Sequence, residues 1–351
     1  MLYNNEIVKN DMFEIINREN IPFDKLNNKT VLITGANGML AYYFTCVLMH
    51  LNIYKHYDIK IIALVRNIEK AKEKFKDFYN DSRFKLLNQD ICEPIMLNEN
   101  INYILHAAGG ASPYFIENDP VGIIKANTQG TINILEYARK HPVENILYTS
   151  TREVYGKVSN VELIKEEDMG TIDPLDSRSC YPESKRMSEQ LFKSYYNQYK
   201  IPYTIVRIAH SYGPGMIINN DGRVMADFIS DVVKNKDIII KSTGEAIRAF
   251  CYINDAVSAM FLVMLKGEIN TCYNIANETE PMIIRDIAKA LVKEFDYKNL
   301  KVVYDMSTDQ SYYCNYKRIG LDTSKIELLG WKPEISLCEG MRRTVLSYDN
   351  K

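Results

Sequence analysis

Tyr181 and Lys185 stand four residues apart in YPESKRMSEQLFKSYYNQY, a stretch whose pattern predicts a helix over 181–199. Side chains four apart on a helix share a face, with Cβ atoms about 5–6 Å apart. Both groups can therefore point at one bound molecule. A phenol titrates near 10, too high for a base at neutral pH, but an ammonium beside it stabilises the phenolate and lowers that value. The pair is thus suited to taking a proton from a hydroxyl. Taken alone, it equally describes a packed tyrosine and a solvated lysine. Pro182 fits the first turn, where its missing N–H costs nothing.

A second constellation lies upstream. The apolar run TVLIT (30–34) leads into Gly35-Ala36-Asn37-Gly38-Met39-Leu40-Ala41 and then a helical pattern, so the GxxGxxA spacing falls at the first strand-to-helix turn. Glycines there let the backbone approach a pyrophosphate, and the helix N-terminus offers unpaired N–H groups and the positive end of its dipole. Gly35, Asn37, Gly38 and Met39 are therefore candidate dinucleotide contacts. Such glycines also arise from turn geometry alone. A dinucleotide gives Lys185 a second task, holding the nicotinamide ribose. The acid that grips an NAD ribose about 20 residues further on is missing, and Arg66 of IALVRN stands in its place. An arginine there accommodates a 2′-phosphate, which tilts the reading of NAD(P) slightly toward NADP(H). It can equally stack on adenine or lie in solvent.

The elements that must position these residues follow from hydrophobic patterning. β-branched runs at 30–36, 59–66, 84–89, 103–108, 145–151 and 203–209 alternate with helical patterns at 39–52, 67–80, 118–140 and 181–199. Continuous apolar strands alternating with helices predict an α/β fold, a doubly wound parallel (Rossmann) sheet covered on both faces. After residue 210 the rhythm breaks into loops, helices near 223–235 and 283–295, and short strands at 238–242 and 272–276. The expected division is a helical extension at 1–28, a dinucleotide-binding domain with the catalytic residues at 29–210, and a smaller, mainly substrate-binding lobe at 211–351. The extension has an amphipathic pattern in MFEIINREN but no readable function.

Bulk properties exclude several classes. The 351 residues carry a formal charge of −2 without long single-sign blocks, so no nucleic-acid partner is expected. No run approaches the roughly 20 apolar residues of a membrane span, and the N-terminus lacks a basic-then-apolar leader. Seven scattered cysteines without a CxxC pair read as reduced thiols in a cytoplasm. The five histidines show no metal-ligand spacing, so no metal is expected, and the absence of GxSxG disfavours a serine hydrolase.

Several separated segments together resemble the extended short-chain dehydrogenase/reductase superfamily that modifies nucleoside-diphosphate sugars. They are the glycine turn, the strand end His106-Ala107-Ala108, Asn127 in KANTQGT, Ser150-Thr151 and the Tyr181/Lys185 pair. The likeness runs from about residue 29 to 345. HAAGGASPYFIENDPVGIIKANTQGT, STREVYG, SRSCYPESKRMSEQ, YGPGMIINNDGRVMADFI and GEAIRAFCYINDAV look most like UDP-glucuronate decarboxylases. The resemblance implies that Tyr181 takes the proton of a sugar 4-hydroxyl while hydride passes to nicotinamide, that Lys185 activates it, and that Thr151 hydrogen-bonds the same hydroxyl. Glu153 matches the carboxylate used near C5 once a 4-keto group has acidified it; read without the likeness, it is an exposed strand-end glutamate. Asp90, Ile91, Ala107, Ala108 and Asn127 join the cofactor contacts. Ser112, Arg152, Arg223, Arg248 and Arg318, the last thirteen residues before Trp331, join the nucleotide-sugar contacts. Any of these arginines can also be an ordinary surface residue. Tyr252 and Tyr312-Tyr313 read as packing residues. A homodimer is implied by the likeness alone.

One departure bears on the reaction. Arg152 occupies the position where decarboxylases of this type carry serine and 4,6-dehydratases carry an acidic proton donor. Arginine stays charged and cannot donate that proton, so a dehydratase is disfavoured. Arg152 can pair with an anionic sugar group or lie outward. Decarboxylation leads, followed by an NADPH-consuming reductase of a keto sugar and by a 4-epimerase. A dinucleotide-sensing scaffold is the alternative outside catalysis, against which the joint presence of Thr151, Tyr181 and Lys185 argues.

Overall fold

The computed structural model describes residues 2–219, 221–305 and 320–349. Seven strands build its main sheet: β1 (Thr30–Thr34), β2 (Lys60–Val65), β3 (Phe84–Asn88), β4 (Tyr103–His106), β5 (Asn145–Thr151), β6 (Tyr203–Ile208) and β7 (Thr271–Ile275). All pair in parallel, in the order β3-β2-β1-β4-β5-β6-β7. The direction of winding reverses between β1 and β4, which opens a crevice at the carboxyl ends of the strands. β1 shows why the sheet is buried on both sides. Val31 and Ile33 enter one apolar core and Leu32 enters the other, as the two-residue side-chain period requires.

The helices are α1 (Glu6–Ile16), α2 (Met39–Tyr54), α3 (Ile68–Lys74), α4 (Pro113–Asn118), α5 (Pro120–Lys140), α6 (Cys180–Tyr199), α7 (Val224–Val233), α8 (Ile253–Lys266), α9 (Ile284–Glu294), α10 (Ser324–Glu327) and α11 (Leu337–Asp349). Helices α2 and α8 pack together on one face of the sheet, while α5 and α6 pack against each other over the other. Among the described residues no helix is long and apolar enough to cross a membrane.

Two expectations change. The run at 272–276, expected in the smaller lobe, is the outer strand of the main sheet, because β7 adds in parallel to β6. The helix that carries the chain there, α8, is buried almost throughout. Its residues from Ile253 to Leu265 are all buried, the polar Asn254, Asp255 and Ser258 among them, so no solvent-facing side marks this helix in the sequence. The helical pattern at 67–80 divides into α3 and a 3₁₀ turn at Lys76–Phe78.

The N-terminal extension is part of the core. α1 packs on α2, α8 and α11, burying Val8, Met12, Ile15 and Ile16. With them goes Asp11, which accepts hydrogen bonds from Tyr43 (2.5 Å), Tyr252 (2.7 Å) and Arg343 (2.7 Å). Burial pushes its carboxyl up to about 6 against those donors. Arg18 reaches Asp255 of α8 at 2.6 Å, and Asp255 also accepts the backbone N–H groups of Glu334 and Ile335. Charges buried this deeply persist only when paired and hydrogen-bonded.

Candidate active site

The glycine turn closes tightly on the sheet. Gly35 has φ of +64°, and a Cβ there would lie 2.7 Å from the Ala107 carbonyl oxygen and the Ala108 Cα. Only glycine combines that left-handed backbone with such close approach. Gly38 caps α2 with no side-chain hydrogen bond, so the first N–H groups of this sixteen-residue helix face the crevice without an internal partner. The Thr34 hydroxyl receives the Ala107 and Ala108 N–H groups at 3.2 Å and reaches His106 Nδ1 at 2.8 Å. His106 Nε2 in turn meets Thr131, whose hydroxyl donates to the Asn127 carbonyl. With that hydroxyl hydrogen committed, His106 carries its proton on Nε2. Burial and the Lys185 charge hold it neutral, its titration lowered to about 3. This relay ties β1, β4 and α5 together under the crevice.

Asn127 donates to Ser184 at 2.9 Å, yet its Oδ1 is buried without a partner. A Cβ on Gly109 would come within 2.5 Å of that oxygen. An orphaned buried acceptor, an uncapped helix N-terminus and a glycine floor are features a dinucleotide would use, so these residues fit NAD(P). Asp90 and Ile91 form the turn after β3, where Cys92 N–H donates to Asp90 and the Ile91 carbonyl accepts from Asn133. Arg66 is exposed just after β2, and its charge acts on Cys92, which places it beside that turn. Met39 begins α2. Asn37 donates to the Asn67 carbonyl at 3.2 Å, and the Asn37 carbonyl receives Lys74 Nζ at 2.8 Å. Lys74, unnoticed in the sequence, lies over the Tyr42 ring and is lowered to about 8 by burial. It braces the turn.

Tyr181 and Lys185 are buried near the start of α6, beside the carboxyl end of β5. The Tyr181 hydroxyl is hydrogen-bonded to Thr151, and its phenol is raised well above 10 by burial and then by the negative charge of Glu153, against Thr151 and the Arg223 cation. Thr151 also accepts the Glu153 N–H at 3.3 Å, at the start of the turn Arg152–Tyr155. One strand end thus brings Thr151 and Glu153 to the phenol. Lys185 Nζ donates to the Thr149 carbonyl at 2.8 Å and sits over the Tyr148 ring at 4.6 Å. Burial lowers its titration to about 7, and Glu189 resists that shift. The cation acting on the Tyr181 phenol in this arrangement is Arg223, although α6 carries Lys185 one turn away.

Glu189 is a second residue the sequence did not disclose. It accepts from Ser150 at 2.5 Å and forms a buried pair with Arg207 of β6 at 2.6 Å. Arg207 continues to the Tyr155 hydroxyl at 3.0 Å, which donates to Asn274 of β7. The spacing Lys185 to Glu189 was visible as an i,i+4 pair; its partner became visible only with β6 laid beside β5.

A model of the NAD dependent epimerase/dehydratase family matches residues 31–276. The chain belongs to this family. Among epimerase/dehydratase relatives, UDP-glucuronic acid decarboxylase 6 of Arabidopsis thaliana is 32% identical over 317 residues, covering 90% of this chain and 87% of the relative. UDP-glucuronic acid decarboxylase 1 of Xenopus tropicalis is 29% identical, covering 91% and 72%. Of solved structures, UDP-glucose 4-epimerase of Thermotoga maritima superposes with a TM-score of 0.76 at 23% identity, over 92% of this chain and 99% of that one. UDP-glucuronic acid 4-epimerase of Bacillus cereus does so with a TM-score of 0.74 at 21% identity, over 92% and 99%. These neighbours share the doubly wound fold.

On the substrate side of this epimerase/dehydratase crevice the expected residues gather only in part. Ser112 stands at the N-terminus of α4, and Pro113 beside it lies against Gly222. Arg223 precedes α7, pairs with the buried Asp221, and acts on Tyr181. The charges of Arg152 and Arg248 both act on the buried His210 imidazole, lowering its titration further below the usual value. Arg318 and Tyr312-Tyr313 lie outside the described residues. Tyr252 is a packing residue, buried and donating to Asp11.

Proposed function

We propose that this protein modifies a nucleoside-diphosphate sugar through transient oxidation at C4, and that its reaction is decarboxylation of a UDP-glucuronate-like substrate. The observation that carries the reading is the Tyr181 hydroxyl held by Thr151 while the Glu153 charge acts on the same phenol. A proton acceptor for a sugar hydroxyl and a carboxylate for the neighbouring carbon stand within one crevice. Names of the relatives support the substrate class. A nicotinamide dinucleotide bound on Gly35, Asn37, Gly38, Met39, Asp90, Ile91, Ala107, Ala108 and Asn127 supplies reversible hydride exchange with C4. Lys185 holds its ribose. Tyr181 takes the 4-hydroxyl proton, with Thr151 orienting that hydroxyl. A phenolate there needs positive charge, which Arg223 and Lys185 provide. Once C4 is a ketone, the C5–C6 bond breaks, carbon dioxide leaves, and the electron pair spreads onto the C4 oxygen until C5 takes a proton beside Glu153. Arg152 pairs with the sugar carboxylate, and Ser112, Arg223, Arg248 and Arg318 hold the rest of the nucleotide sugar. The cycle regenerates its cofactor.

Arg66 favours a second reading, in which NADPH is consumed to reduce a nucleotide-linked keto sugar, because it stands exposed where an NAD-type acid would be. Absorbance at 340 nm followed beside product mass separates the two. Carbon dioxide release without net cofactor change is expected; stoichiometric loss of NADPH would overturn the decarboxylase reading. We further read the enzyme as cytoplasmic, supported by free thiols at all six described cysteines, and as a homodimer. The dinucleotide part at 29–210 then borrows β7 from the lobe at 211–351, with 1–28 as a strut between them.

A further inference from the structure

A buried ammonium needs more than one neighbour to stay charged, and Lys185 finds one of its neighbours in an aromatic ring. Lys185 is 5% exposed, and a charge taken that far from water persists only when its donors are satisfied. The ammonium has three N–H donors. One goes to the Thr149 carbonyl at 2.8 Å. The same nitrogen stands over the Tyr148 ring, 4.6 Å from its centroid, inside the roughly 6 Å at which a ring quadrupole attracts a cation. Both contacts come from consecutive residues of β5, so this strand offers a carbonyl and a ring face to one turn of α6. The ring is held in place. It is fully buried, with Phe192 of α6 at 5.0 Å and the His106 ring stacked beside it at 5.4 Å. His106 is also its register partner on β4. Of the titratable groups facing Lys185, Glu189 of its own helix favours the charge, whereas His106 is neutral and the Tyr148 phenol is raised by burial and stays protonated. Tyr181 lies one turn away on α6, and α5 presents the uncharged Asn127, which donates to Ser184.

We propose that Tyr148 is a positioning residue of the candidate site: the face of its ring holds the Lys185 ammonium against β5 in its charged form, leaving the third N–H for the ribose of the dinucleotide. The inference rests on the task given to Lys185 above and adds to it a residue that touches neither cofactor nor sugar. Burial lowers the titration of Lys185 to about 7, so near neutral pH the charged and neutral forms are close in population and a modest interaction decides between them. A desolvated contact between a cation and a ring is strong enough to move a titration by about one to one and a half pH units. The sign is fixed by what the ring attracts. It favours the ammonium and so raises the value, and its loss lowers the value. A neutral amine in the same place has no positive charge with which to stabilise a phenolate at Tyr181.

Carbon–nitrogen NMR of labelled lysine side chains in the full chain, with no cofactor or substrate added, reads the titration of Lys185 directly once Lys185→Met has identified its signal. Tyr148→Leu fills most of the space without a quadrupole, and Lys185 should then titrate about one pH unit lower. Tyr148→Phe keeps the ring and removes only the hydroxyl, whose neighbour is Ser188, so the value should stay within about a third of a unit of wild type. In turnover, the limb of the kcat/KM profile that falls with rising pH should move down with Lys185 in Tyr148→Leu and keep its place in Tyr148→Phe. A merely structural role would lower the whole profile without moving it. Equal Lys185 titrations in wild type and Tyr148→Leu would overturn the inference, as would a Tyr148→Phe value that falls as far as that of Tyr148→Leu. A Lys185 titration that moves while the kinetic limb stays supports the ring contact and removes the task given to Lys185 in the reaction. Should Tyr148→Leu fold poorly, a trifluorinated phenylalanine at position 148 keeps the shape of the ring and takes the negative charge from its face. Lys185 should titrate lower there than in Tyr148→Phe, and equal values would count against the ring.

Discussion

At the scale of single residues, the proposed chemistry turns on two groups whose surroundings oppose the form they need. Tyr181 is raised by burial and by Glu153, and Lys185 is lowered by burial. Polar neighbours oppose both shifts, Thr151 and Arg223 for the phenol and Glu189 for the ammonium. Tyr181→Phe removes the base and little volume, so kcat should drop by about 100- to 10,000-fold while cofactor affinity, measured by fluorescence quenching, stays within about twofold of wild type. A rate near that of wild type in the variant would sink the catalytic assignment. Glu189→Gln tests the second partner. Lys185 is cationic below about 7, so activity that needs its charge falls as pH rises through that value. Removing the Glu189 charge, which raises Lys185, should move this limb of the kcat/KM profile to lower pH. A profile that only scales down in height would mean that Glu189 acts on folding and not on Lys185.

At the scale of elements, patterning and positioning part ways. The strand runs at 30–34, 84–88 and 145–151 and the helix that begins at Cys180 lie where apolar period and turn residues predict them, because each buries a regular face. α8 and β7 escaped detection as parts of the sheet, since a helix buried on all sides has no period and a five-residue strand does not reveal its neighbour. α1 was legible as amphipathic but not as a clamp. Arg18 and Asp255 show why: they are 237 residues apart in the chain and 2.6 Å apart in space. Arg18→Ala should cost about 3–5 kcal/mol, since Asp255 is left buried without a counterion, and should lower the thermal midpoint by several degrees. Burial already raises the Asp255 carboxyl, and loss of Arg18 raises it further. A group with a raised folded-state value contributes stability that is present at low pH and lost as pH rises through that value. The deficit of the variant should therefore be larger near pH 8 than near pH 5 in thermal unfolding monitored by circular dichroism. A pH-independent deficit would remove the electrostatic explanation.

At the scale of the whole molecule, sheet order decides what the residues can do together. β1 and β4 part the two halves of the winding, and β5 and β6 carry Thr151, Arg152 and His210 to the same mouth. The outer faces of α5 and α6 still expose Val121, Ile124, Met187 and Tyr199, apolar side chains that a second copy can cover. Sedimentation velocity should give twice the chain mass at micromolar concentration, with Ile124→Asp together with Met187→Asp shifting the protein toward monomer; a wild-type monomer at that concentration would discard the dimer. What the amino-acid sequence determined by itself was local: a glycine turn at 35–38, a tyrosine and a lysine on one helical face, and a threonine and glutamate at a strand end. Periodicity and turn chemistry encode these within a few residues, so no tertiary knowledge is needed to read them. Only the folded chain decided that Arg223 is the cation felt by Tyr181, that Glu189 and Arg207 brace Lys185's helix against β5 and β6, and that the charges of Arg152 and Arg248 reach His210. Each of those depends on which strands lie side by side and how deeply water is excluded, and electrostatic coupling between residues distant in the chain is set by that separation and that burial rather than by residue type.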